Sequence, residues 1–92
     1  MKCIIKVSSP APQYAISSIS VLTRAISAFG DYYNFNSSTH EFCFKTKRLA
    51  KKALKNASEF IKEEHGFTDS DGLRSDGEFL KYDAATAEIT CL

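Results

Sequence analysis

The sequence predicts an α+β domain of the ferredoxin-like kind: a split βαβ two-layer sandwich in the order β-α-β-β-α-β(β), with two helices on one face of an antiparallel sheet. Three observations lead there. Residues 2–7 alternate between apolar and polar, two later stretches repeat apolar residues at three- and four-residue steps, and aromatic-rich runs lie between those stretches.

In the first element Cys3, Ile5 and Val7 share one face while Lys2, Ile4 and Lys6 share the other, which is the period of a strand with one buried side. Ser8-Ser9-Pro10-Ala11-Pro12 ends it and supplies capping and first-turn residues for a helix. That helix is expected over 13–29, with Ala15, Ile16, Ile19, Leu22, Ala25, Ile26 and Phe29 inward and Gly30 as a left-handed stop. Its outer face, Ser17, Ser18, Ser20, Thr23, Arg24 and Ser27, holds a single charge, so it is easily desolvated.

Asp31–Asn36 and Glu41–Lys45 read as strands of a hairpin joined by Ser37-Ser38-Thr39-His40. Turning Tyr33, Phe35, Phe42 and Phe44 inward leaves Glu41, Cys43 and Lys45 facing water. The opposite choice buries two charges at several kcal/mol per unpaired ion. The second helix has the clearest pattern: Leu49, Ala50, Ala53, Leu54, Ala57, Phe60 and Ile61 form one stripe, and Arg48, Lys51, Lys52, Lys55, Ser58, Glu59, Lys62 and Glu63 the other. His65-Gly66 ends it. The tract from Thr68 to Gly77 is turn chemistry and is expected as an exposed loop. Glu78–Asp83 and Ala87–Leu92 read as a closing strand pair around Asp83-Ala84-Ala85-Thr86, with a terminal helix as the alternative because of the alanines.

With 92 residues, 43% hydrophobic and 25% charged, the chain suits one globular domain spanning residues 1–92. Lys6 interrupts the apolar start before it reaches the length of a secretory signal, and no run approaches the roughly 20 apolar residues of a membrane span. These features, with three widely spaced cysteines that match no disulfide framework, lead to the expectation of a cytoplasmic protein with reduced thiols and no membrane partner.

The net charge of +1 conceals a division. Residues 1–55 carry nine Lys or Arg against two acids, and residues 56–92 carry three against nine. The focus of positive charge is Lys45, Lys47, Arg48, Lys51, Lys52 and Lys55, entering the second helix at its N-terminus, where the helix dipole already disfavours cations. Such a run is a candidate polyanion or partner site, although charge runs on amphipathic helices are most often solvated faces. Asp69, Asp71, Asp76 and Glu78 are its acidic counterpart. Where they lie decides whether the basic run is balanced within the chain.

Signatures of chemistry are sparse. Aligning Gly72 with the glycine of a calcium loop puts Asp69, Asp71 and Glu78 in register but leaves Phe67, which has no oxygen, at the first ligand position. The cysteines and histidines contain no paired spacing for zinc, and Cys3 and Cys91 read as small core hydrophobes. Cys43 near His40 and Lys45 is the lone candidate for thiol chemistry, with His40 in reach only from a turn. Base stacking on sheet aromatics, as in RNA-recognition domains, is opposed by the inward assignment of Phe42 and Phe44. The expectation is a non-enzymatic module without cofactor that binds a partner protein through a charge-divided surface. Nucleic-acid binding through residues 45–55 is the alternative, a small thiol enzyme using Cys43 the second, and a homo-oligomer is compatible with each.

Overall fold

In a computed structural model that describes residues 2–65 and 73–92, β1 (Cys3–Ser8) buries Cys3, Ile5 and Val7 as the alternation predicts. A single 3-10 turn at Pro12–Tyr14 leads into α1 (Ile16–Phe29). There follow β2 (Asn34–Asn36), β3 (Glu41–Phe44), α2 (Lys47–His65), β4 (Leu73–Ser75), β5 (Phe79–Tyr82) and β6 (Ala85–Cys91). The six strands form one antiparallel sheet in the order β2-β3-β1-β6-β5-β4, and the two helices pack on it and on each other. The architecture is therefore α+β with two helices on an antiparallel sheet. Its six-strand order differs from that of the smaller sandwich the sequence predicts, because Leu73–Ser75, expected as loop, pairs with β5 and buries Leu73 completely.

Several residues take places other than those expected. On α1 the inner face is Ser18, Leu22, Ala25 and Ile26, while Ile16 is 66% exposed. Ser18 turns inward because its small side chain admits the β5–β6 turn and its hydroxyl donates to Asp83 Oδ2 at 3.2 Å. On α2 Ser58 is also buried, as its place four residues after Leu54 and three before Ile61 puts it on the edge of the core stripe. Gly30 is extended (φ −86°, ψ 139°) rather than left-handed. Close approach is what requires glycine here: a Cβ would stand 2.6 Å from the Ile26 carbonyl oxygen.

The aromatic hairpin is shorter than expected. Phe42 and Phe44 are fully buried, and Phe35 stacks on Phe42, its partner in register, with centroids 4.4 Å apart. Tyr33 lies at a bend before β2 and is 53% exposed, so alternation does not extend to it. Tyr32 takes the inner place, edge-on to Phe42 at 4.9 Å, with its hydroxyl 3.2 Å from Ser27 Oγ. Cys43, expected in water, is 8% exposed: it faces away from the helices, but its register partners Ile4 and Asn34 on the two flanking strands shield so small a side chain.

Cys3 and Cys91 form a disulfide, which corrects the expectation of reduced thiols at these two positions. Antiparallel pairing of the first and last strands puts the two residues opposite each other with Cα atoms 4.0 Å apart, a juxtaposition no spacing rule reveals. It also removes one premise of the expected cytoplasmic location. No helix among the described residues is long and apolar enough to cross a membrane.

The bond joins residues 88 apart in sequence, so in the loop-closure picture it restricts the unfolded chain by about 4.6 kcal/mol. Urea unfolding with and without reductant should show a clearly lower midpoint in the reduced protein, and Cys91→Ser should match it without reductant. Equal midpoints would mean that the strand pairing alone holds β1 to β6.

Candidate functional site

The basic run begins just after β3, where Thr46 caps α2 by accepting the Leu49 N–H at 3.2 Å. Burial of Ala50, Ala53, Leu54, Ala57 and Ile61 then fixes the rotation of the helix and sends Arg48, Lys51, Lys52 and Lys55 to its exposed side. These four cations line one wall of a cleft of about 560 Å³ whose other wall is Ser75, Asp76 and Gly77, from β4 and the turn into β5. Lys45 and Lys47 are exposed at the start of the same run.

The turn is shaped by Asp76. Its Oδ1 accepts the N–H groups of Phe79 at 2.9 Å and Glu78 at 3.0 Å, and Gly77 takes φ +90°, a conformation glycine adopts without steric cost. Glu78 is thereby aimed back at α2. Its Oε1 stands 2.9 Å from Lys47 Nζ and 3.7 Å from Lys51 Nζ, all three side chains being about half exposed. The structure thus brings Asp76 and Glu78 to the basic run, with Glu78 partly neutralising its first turn. Asp69 and Asp71, and with them the calcium-loop alignment, lie outside the described residues. Among the described residues no ion pair involves Arg48, Lys52 or Lys55, and no group of three metal-ligating side chains comes together.

Both carboxyls titrate below their ordinary values. For Glu78 the main cause is the Lys47 hydrogen bond and charge, followed by the charge of Lys51; for Asp76 it is the Phe79 and Glu78 N–H groups, with a smaller contribution from Lys51.

The thiol constellation does not assemble. His40 does lie in the turn, with a left-handed φ of 56°, but its side chain joins Ile19, Thr23 and Phe35 in a groove beside α1, away from the sheet face that carries Cys43. Its Nδ1 and the Thr23 Oγ1 are buried without a hydrogen-bond partner among the described residues. This groove had no legible signal, since His40 reads as a loop residue and Thr23 as an outer-face one. No protein family, curated protein or solved structure matches the chain.

Depressed carboxyl values contribute stability that is present above the ordinary carboxyl range and lost as pH falls through the lowered values. Side-chain carboxyl NMR should therefore show midpoints below 4.5 for Glu78 and below 3.8 for Asp76, and the Glu78 midpoint should return toward 4.5 in Lys47→Met. An unchanged Glu78 midpoint in that variant would mean the ion pair does not form in solution.

Proposed function

We propose that this chain is a non-enzymatic protein-interaction module whose α2 cleft takes an acidic segment of a partner protein. The observation that carries the reading is the cleft's asymmetry: among the described residues four cations on the helix wall face one carboxylate, Asp76, that is already engaged by its own turn. Glu78 occupies the first turn of α2 in the way a partner's carboxylate would occupy the next. A charged, open cleft of this kind favours fast, salt-sensitive association and orientation over deep burial.

A nucleic-acid backbone is the less suitable occupant. Asp76 in the second wall and Glu78 beside Lys47 and Lys51 repel a continuous line of phosphates, whereas a short peptide can avoid them. The sheet aromatics that could stack bases are also buried: Phe42 and Phe44 have no exposed surface. For the fold we read β2-β3-β1-β6 as the split βαβ core of a ferredoxin-like sandwich, supported by β3 pairing with both β2 and β1, and β4–β5 as a hairpin added at its edge.

A glutamate-rich peptide, titrated by NMR, should shift Arg48, Lys52, Lys55 and Ser75–Gly77. Lys52→Glu with Lys55→Glu should weaken it roughly tenfold, and Glu78→Gln, which releases Lys47 and Lys51, should strengthen it about threefold, as expected for rim charges. Tighter binding of a single-stranded oligonucleotide than of the peptide would transfer the cleft to nucleic acid. Absence of both would end the reading.

A further inference from the structure

The exposed side of α2 carries its fully exposed charges in two blocks, with the half-buried Lys62 at the margin of the second. Arg48, Lys52, Lys55, Glu59 and Glu63 follow one another at steps of four, three, four and four residues, and all five are exposed, so they form a single stripe along the helix. Its first half is positive and its second half negative. Each block stands at the end of the helix where the backbone dipole disfavours it, cations by the free N–H groups and carboxylates by the free carbonyls. Pairing along the helix relieves little: Lys55 precedes Glu59, the weaker order for such a pair, and no ion pair joins them.

We infer that the acidic partner of the α2 cleft is a second copy of this chain, the two α2 helices crossing antiparallel about a two-fold axis near Ala57. This rests on the reading of the cleft as a site for acidic protein segments and names that segment. Antiparallel alignment sets Lys55 of one copy opposite Glu59 of the other, and Lys52 opposite Glu63, and the two-fold repeats both pairs. It also opposes the two helix dipoles, so each misplaced block faces the opposite charge of the other copy.

The acidic half has a surface suited to the arriving cations. Phe29 and Phe60 pack with ring centroids 4.9 Å apart and planes inclined at 55°, and Phe29 is 49% exposed. With Asn56, Glu59 and Glu63 they line a shallow depression of about 190 Å³ that, among the described residues, no basic side chain lines. Aromatic rings beside two carboxylates are what an ammonium or guanidinium group seeks at a protein surface. The contact is made by exposed charges, so the dimer is weak and salt-sensitive.

Analytical ultracentrifugation of the intact chain tests this at millimolar protein in dilute buffer and again in high salt. A concentration-dependent dimer is expected in the first condition and monomer in the second. The double variants K52E/K55E and E59K/E63K should each be monomeric alone, with circular dichroism like that of the parent. Mixed in equal amounts they should associate, because one then carries an acidic stripe and the other a basic one. A parent chain that stays monomeric in dilute buffer, or variants that fail to associate on mixing, would overturn the inference. If the glutamate-rich peptide still shifts the cleft of that monomeric parent, the dimer alone is lost; if it does not, the reading of the cleft is lost as well.

Discussion

The placement of β1 is the constraint on which the other elements depend. Its inner residues Cys3, Ile5 and Val7 are buried under the helices, and its backbone pairs with β3 on one side and β6 on the other. Both pairings are long-range, and the second joins the two ends of the chain. Once they form, the covered face of the sheet is continuous from Phe42 and Phe44 through Ile5 to Ala87 and Leu80, whose register follows from the same ladders. The Cys3–Cys91 bond fixes the end of that arrangement covalently. The helices then have one surface on which their apolar stripes can be buried together.

What the sequence made legible follows from how local each signal is. Alternation at β1, the three-and-four spacing of α2 and the inward pair Phe42 and Phe44 of β3 are properties of adjacent residues, and all appear in the structure. Misplaced residues are those whose position was decided by a partner or a backbone feature that the spacing of apolar residues does not encode. Ser18 is inward because a turn sixty-five residues away supplies Asp83. Leu73–Ser75 is a strand because β5 is there to pair with it, and Gly30 is tight against the preceding turn of α1 and not a helix stop in the left-handed sense. Tyr32 and Tyr33 exchange places because a bend at the second shifts the phase by one residue.

The candidate site divides along the same line. Its cations were legible, since an amphipathic helix with a buried apolar stripe must expose the residues opposite. Its second wall was not. That wall depends on β4 adding to the edge of the sheet and on Asp76 folding the following turn so that Glu78 points back to α2. A loop with turn composition gives its own local shape but not the surface it will lie against.

Helix α2 therefore has two conflicting roles. Its stripe of alanines with Leu54 and Ile61 is fully buried, and small residues there let α1 come close. Its exposed stripe has charges placed against its own dipole. The packing holds the helix in spite of them, since each misplaced exposed charge costs only tenths of a kcal/mol while burying a Leu or Ile contributes ~1.5–3 kcal/mol. Stability thus does not account for the order of the charges: a helix stabilised by packing would tolerate the reverse order more readily. Among the described residues Glu78 reaches the start of the basic run, at Lys47 and Lys51. The remaining charge division lies on a surface that the fold leaves exposed, where an opposite charge from outside the chain is the relief that the geometry accommodates.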